Sequence, residues 1–425
     1  MQRRFQLTVL LFLILNLAGA QEKPNVGKIN AYADSYYREK NYDKAAQNYI
    51  KVVELAEFRS KKKNAAYNAA CCLALLNKKD SAFILLSQAI ENGYNNKAHL
   101  IKDSDLNVLH SSEKWKELLN HMPESSGLNS DPKMAVIHTS DIHHFWEAYD
   151  LAIKDSAVAR EIYKTHYFDK GTDGMHDYMG LKVSSIDHFV KHIQSYPKLY
   201  ETIRENTLKV DEYKIEIQKS FENFKAIYPQ AKFPDVYFVI GAFTSGGTIS
   251  SSGLFIGTNQ MSDGAEVNTE ELSFGMKLLM NESAYIPNIV AHELIHFQQD
   301  GMKKESITLR DVIKEGMADF IGELISGGTA NEKIFEWARG KEKQIWTEFQ
   351  KDMYLNRYSN WIANYNTASK DSYPDLGYWI GYEICKSYYE NAEDKNQAIY
   401  DMLHIQDYKK FLADSRWESK LEQMP

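Results

Sequence analysis

Cysteine is scarce: Cys71, Cys72 and Cys385 are the only three in 425 residues. An odd count builds no complete disulfide framework. Cys71 and Cys72 are adjacent on an expected helix, where neighbours point about 100° apart, so all three read as small buried hydrophobes. No cysteine pair has zinc-ligand spacing, so a metal site here has to use histidine and carboxylate. Excess positive charge is missing too. The chain carries 50 Lys+Arg against 58 Asp+Glu, a net charge of −8, and no long basic run. That argues against a general nucleic-acid binder. Beyond the first twenty residues, no apolar run is long enough to cross a bilayer.

The N-terminus is the one long apolar stretch. "MQRRFQ" is basic, "LTVLLFLILNL" has the length of a signal-peptide core, and Ala18 and Ala20 of "AGAQ" occupy the small-residue positions of a cleavage site. The expectation is a cleaved signal peptide over 1–20 and no integral membrane span afterwards. The protein is then exported, to the periplasm or to the extracellular face of the cell envelope. No cysteine follows the apolar run, so nothing there supports lipid attachment. In composition, 44% apolar and 25% charged residues are ordinary for a soluble globular chain, and the length suits two or three domains.

Residues 21–121 read as helices. Ala45, Tyr49 and Val52 of "YDKAAQNYIKVVELA" line up with Ala82, Leu86 and Ala89 of "KDSAFILLSQAIENGY", a period of 37 residues. Each is preceded by another helical pattern. This is similar to tetratricopeptide repeats, whose period is near 34. Such a layer binds a protein partner or packs on a neighbouring domain. Two repeats are few for independent stability, so the layer is expected to lean on the domain C-terminal to it. A linker is expected at 122–134, "MPESSGLNSDPKM" being rich in Pro, Ser, Gly and Asp. A second domain then fills 135–425. It is helical except for "DVYFVIG" and "SGLFIG", which read as strands on either side of "AFTSGGTISS". "YFDKGTDGMHDYMG" reads as a turn-rich loop at the border of a cleft. The fold class expected is mainly α with a small β-sheet, an α+β chain.

The chemistry lies in "VAHELIHFQQD", Val290–Asp300. On a helix, i and i+4 share one face, so His292 and His296 can aim imidazole nitrogens at one point. Zinc accepts neutral imidazole at about 2.0–2.1 Å. Glu293, beside the first ligand, can take a proton from water that the metal acidifies. Pro287 suits the first turn of this helix and Gly301 its end. A second helix is expected in "TLRDVIKEGMADFIGELISGG", opened by Thr308 and Asp311 at capping-box spacing and closed by Gly327-Gly328. Glu315 follows His296 with eighteen residues between them, enough for one helix to end and another to return alongside. A catalytic zinc takes three protein ligands and keeps a position open. His292, His296 and Glu315 complete that set around one Zn2+, with Gly316 letting the two helices pack closely. Asp319, one turn on, can accept from the other nitrogen of a ligand histidine and fix its tautomer. Glu323, a further turn away, reads as structural or exposed. His143-His144 precede Phe145 and Trp146 on an expected helix, and the i, i+4 pair His188 and His192 has no acidic companion inside it; both read as surface or core histidines.

"HELIH", the eighteen-residue spacing and "EGMADF" together resemble the gluzincin metallopeptidases, which pair His-Glu-x-x-His with a glutamate from the following helix. The carboxylate at Asp319 resembles that of thermolysin-type enzymes. From Asp141 onward, "HELIHFQQ", "EGMADFIGELISGG", "DLGYWIGYEICKSYYE" and "FLADSRW" look like the predicted zinc-dependent proteases related to gliding-motility protein B. The resemblance implies a gluzincin-like catalytic domain on a secreted or envelope protein. In M1-like relatives a tyrosine of a Tyr-x-x-Gly helix start stabilises the oxyanion. Tyr378-Trp379-Ile380-Gly381 matches that pattern, which makes Tyr378 the expected donor, with Tyr382 as the alternative. The Gly-x-Met-Glu-Asn motif of M1 aminopeptidases has no counterpart, since "TISSSGLFIG" carries no acidic residue. The strand can still pair with an extended peptide through its backbone. The expected function is a secreted zinc peptidase acting on a peptide or protein substrate, with a protein partner at the helical repeats. The rival is an envelope protein that binds or assembles through those repeats and keeps the zinc fold as a scaffold.

Overall fold

Alanine sets the spacing of the first four helices in the computed structural model, which describes residues 25–122, 129–250, 252–369 and 372–423. The expected signal segment, 1–20, lies outside the described residues. Helices α1 (Val26–Arg38), α2 (Tyr42–Leu55), α3 (Arg59–Leu75) and α4 (Lys79–Glu91) pack each on the next. Asn25 and Asn41 accept backbone N–H groups at the starts of α1 and α2, satisfying donors that a helix leaves unpaired there. Ala65, Ala66, Ala69 and Ala70 of α3 are buried between α2 and α4. The aligned residues Ala45, Tyr49, Val52, Ala82, Leu86 and Ala89 are buried as well. All three cysteines are free and buried.

This layer does lean on the second domain. Phe58, just before α3, is packed in the core of that domain rather than among the repeats, with its ring 5.6 Å from that of Phe168. Next to it, Glu57 accepts from the backbone N–H of Ile186 at 2.7 Å and pairs with Arg160. Ser60 donates to the carbonyl of His176, and Lys63 meets Asp177 at 2.7 Å with both side chains largely buried. Replacing Phe58 by Ala is expected to cost about 3–5 kcal/mol, as for other buried phenylalanines. Denaturant unfolding measures it; a change below about 1 kcal/mol would mean that the ring fills no real gap.

Of the expected linker, residues 123–128 lie outside the described residues. Its last part belongs with the second domain: Asn129 bridges to Phe233 and Pro132 is buried. Four strands follow, β1 (Ile137–His138), β2 (Val236–Val239), β3 (Gly247–Ser250) and β4 (Gly253–Gly257). They form a mixed sheet in the order β1-β2-β4-β3, with β3 antiparallel to β4 at the edge. β4 is buried throughout and β2 nearly so, as strands covered on both faces are. β3 lies within "AFTSGGTISS", which carries only one large aliphatic side chain in the strand itself, so no alternation marks it.

"DGMHDYMG" is helix, not loop. Asp173–Lys182 is capped by the Thr172 hydroxyl, and its glycines allow two close approaches. A Cβ on Gly174 would sit 2.2 Å from the Tyr237 ring, and one on Gly180 would sit 1.9 Å from the Ser60 hydroxyl. The helix is thereby clamped between the sheet and α3.

Three long helices complete the fold: the histidine helix Ile286–Gln298, the glutamate helix Thr308–Ser326 and the tyrosine helix Leu376–Asn391. Pro287 stands in the first turn of the histidine helix, and Gly327 ends the glutamate helix in the left-handed conformation at φ 88°. Two local expectations fail. Thr308 makes no capping box, because its hydroxyl donates to the carbonyl of Leu355 and accepts from Arg357 N–H, while Asp311 pairs with Arg310. Gly316 does not face the histidine helix. A Cβ there would lie 1.9 Å from the backbone N of Tyr382 and 2.0 Å from the carbonyl carbon of Gly381. The residue facing the histidine helix is Gly322, where an added Cβ would lie 3.3 Å from the backbone N of His292. The chain is thus mainly helical with a small mixed sheet and a repeat-like helical layer in front.

Candidate metal centre

The histidine and glutamate helices pack side by side, which brings together the three residues that the spacing singles out. His292, His296 and Glu315 each turn one donor atom into a group whose members all lie within 4.8 Å of one another. The Glu315 Oε2 is 2.9 Å from His296 Nε2 and 3.7 Å from His292 Nε2. Ligands bound at about 2.0–2.1 Å on a tetrahedral zinc stand about 3.3 Å apart, between those two separations. The imidazole planes are at 89° to each other, so the two nitrogens converge from different directions.

The other ring nitrogens are held. His292 Nδ1 lies 2.9 Å from Asp319 Oδ1, and His296 Nδ1 lies 2.7 Å from Gln299 Oε1. A carboxylate can only accept, so His292 carries a proton on Nδ1, and the neutral ring that a metal binds has its lone pair on Nε2. Gln299 donates its own N–H to the Lys314 carbonyl, which points its oxygen at His296 and sets the same tautomer. Asp319 is itself fixed by Asn331, at 3.0 and 2.8 Å, and by the Thr329 hydroxyl. Both Nε2 atoms therefore face Glu315, and in the neutral rings they offer their lone pairs to a metal.

Charge points the same way. Burial works against protonation of His292, yet Asp319, Glu315 and Glu293 outweigh it and push the imidazole up to about 10. Burial likewise raises the Glu315 carboxyl, and His296 and His292 more than reverse this, holding it well below the usual carboxylate range. Three carboxylates around two imidazoles leave a surplus of buried negative charge, which a divalent cation would neutralise. The donor set of two imidazoles and one carboxylate fits zinc.

Glu293 is not one of the three converging donors but lines an adjoining cavity of about 200 Å³, whose wall also includes His292 and Tyr378. It is buried, and that burial raises its carboxyl above the ordinary value. Gly246 and Gly247, at the start of β3, form the facing wall. A Cβ on Gly247 would be 2.3 Å from Glu293 Oε1, so only glycine allows the edge strand this near the carboxylate. The Tyr178 hydroxyl holds the strand's entry by donating to the Ser245 carbonyl.

Tyr378 also lines the cavity, with its ring 6.0 Å from that of His292; burial raises its phenol far above the usual range. Tyr382 is committed elsewhere: its hydroxyl donates to Glu323, which gives that half-buried carboxylate its structural place. The remaining histidines make no second centre among the described residues. His192 is half-buried against the Tyr200 hydroxyl and pushed down to about 4 by desolvation, His188 is exposed, and His143 and His144 lie near Asp211 and Asp141.

Sequence reasoning missed Gln299, Asn331, Thr329 and Gly247. Gln299 was visible in "HFQQ", three residues past His296. Asn331 and Thr329 come back to Asp319 only through the turn after Gly327-Gly328. Gly247 reaches Glu293 through the sheet, which no local pattern announces.

No curated protein and no solved structure matches the chain. One family model, described as gliding motility protein GldB, matches residues 132–419.

Proposed function

The chain belongs to the gliding motility protein GldB family, and from that membership together with its metal centre we propose that it is a zinc-dependent peptidase of the cell envelope, gluzincin in type. The observation that carries the reading is the convergence of His292 Nε2, His296 Nε2 and Glu315 with Glu293 turned into the adjoining cavity. A purely structural zinc site has no use for that additional carboxylate. The family description supports a place at the cell surface, as the N-terminal segment does. Among the described residues no helix is long and apolar enough to cross a membrane.

His292, His296 and Glu315 would hold the ion, which when bound supplies Lewis acidity and a water acidic enough to lose its proton near neutral pH. Glu293 is the base: its carboxylate takes the proton from the attacking water and passes it to the leaving nitrogen of the peptide. The Tyr378 hydroxyl donates to the oxygen on which negative charge develops. Asp319 and Gln299 keep both imidazoles in the ligating tautomer. The free edge of β3 offers backbone N–H and C=O groups to an extended substrate beside the site. Leu278, Leu279, Ile289 and Ile334 in the cavity wall favour an apolar side chain next to the cut bond.

The test combines metal analysis with a peptide-library digest. The expected result is one zinc per chain and cleavage that stops with chelator and returns with zinc. Zinc present with no cleavage of any peptide would favour the assembly role instead.

A further inference from the structure

β3 walls two cavities. Its first residue, Gly247, lines the one beside Glu293, and its last, Ser250, lines a second of about 130 Å³. The second lies at the seam between the repeat layer and the metal-centre domain. Lys61, Lys63 and Asn64 of α3 form one side, Asn95 another, and Asp177 with Ser250 the rest. The pocket is therefore built jointly by both units. Its lining is polar, and lysine outnumbers carboxylate. Lys63 is paired with Asp177. Lys61 donates only to the backbone carbonyls of Val183 and Ser184, so no carboxylate is in contact with its charge. Asn64 and Asn95 are exposed, and their side-chain amides bond nothing else among the described residues.

The free edge of β3 is the lane that joins the two cavities. A strand rises about 3.3 Å per residue, so the path from Gly247 to Ser250 covers about 10 Å. A peptide paired along that edge puts one end at the metal centre and a side chain three or four residues away into the seam pocket. Antiparallel pairing is the more stable ladder. Because β3 runs from the metal centre toward the seam, it places that side chain on the N-terminal side of the cut bond.

We propose that the seam pocket is a remote substrate subsite, through which the helical repeats select peptides bearing an acidic side chain three or four residues before the scissile bond. This rests on the peptidase reading. It gives the repeats a role at the cleft itself: they read the substrate rather than only docking a separate partner.

The experiment uses the full chain loaded with zinc and ten-residue peptides in which one Glu, Gln or Lys is moved along the sequence. Cleavage is followed in the wild type. Equilibrium binding is followed with Glu293→Gln, so the pocket is read even where no bond is cut. The comparison variant is Asn64→Leu with Asn95→Leu, both exposed positions that leave the fold intact.

The expected result is a kcat/KM about tenfold higher for Glu than for Lys at the third or fourth position before the cut, with Gln between them. The double variant should shrink that ratio to below about threefold while peptides too short to reach the pocket are cut as before. In the Glu293→Gln background, the same Asn changes should shrink the Glu-over-Lys preference in binding by a similar factor. Peptides bound with that preference yet never cut would overturn the hydrolytic reading and support the subsite. Indifference to Glu and Lys in binding, a preference lying only after the cut bond, or a preference untouched by the Asn changes would each overturn the subsite.

Discussion

Glu293→Gln is expected to retain one zinc per chain and to lose hydrolysis by about 10²–10⁴-fold, the contribution of a positioned acid–base group. The substitution keeps the size and shape of the side chain, so the contact with Gly247 and the neighbouring ligands are undisturbed. What it removes is the ability to accept a proton. Glu293 is buried and turned into the cavity instead of joining the three converging donors, so metal content should not follow activity. Its burial also raises the carboxyl above the ordinary range, nearer to the operating pH at which a base and then an acid works best. Metal analysis and turnover of a library-selected peptide, measured on one preparation, decide the matter. A variant that cuts at the wild-type rate removes Glu293 from the chemistry, and one that loses its zinc makes it a ligand instead.

The second large effect is structural. Gly316→Val should destabilise the protein by about 3 kcal/mol, the upper end of ordinary overpacking. The added Cβ would sit 1.9 Å from the Tyr382 nitrogen and 2.0 Å from the Gly381 carbonyl carbon. Both are backbone atoms, so no rotamer change relieves the contact and the glutamate and tyrosine helices have to separate. Gly381 returns the constraint, since its own Cβ would lie 1.9 Å from the Val312 carbonyl oxygen. Glu315 is adjacent to this contact and Tyr378 is less than one turn from it, so whatever folds should bind zinc weakly and turn over slowly. Gly322→Ala serves as the comparison. Its nearest atom is 3.3 Å away, a shift of a few tenths of an ångström relieves it, and the loss should be much smaller. Thermal melts with zinc titrations measure both. Equal melting temperatures for Gly316→Val and wild type would refute the crossing as described.

The convergence of His292, His296 and Glu315 was legible because these residues obey local rules. Two histidines four apart and a glutamate on the next helix need only helical periodicity and a return turn to meet, and Asp319 follows by one further turn. The fold class was legible for the same reason: helical patterns dominate and two strands are strongly apolar. What escaped depends on contacts far apart in the chain. β3 has little apolar character and is a strand because β4 pairs with it. Thr308 looked like a cap, but Leu355 and Arg357 claim its hydroxyl from 47 and 49 residues away. Gly316 was assigned to the right purpose and the wrong partner, because the tyrosine helix arrives more than sixty residues later. The stretch 167–180 looked like turns, since glycine serves loops and close packing alike and only the packed structure tells them apart.

The placement of Phe58 separates two boundaries that are easily confused. The family model begins at residue 132, but the aromatic core it covers is finished by a ring from residue 58, and the backbone N–H of Ile186 is satisfied by Glu57. The matched segment is therefore shorter than the piece of chain that closes its own interior. A fragment cut to the matched residues would be left with an open socket beside Phe168.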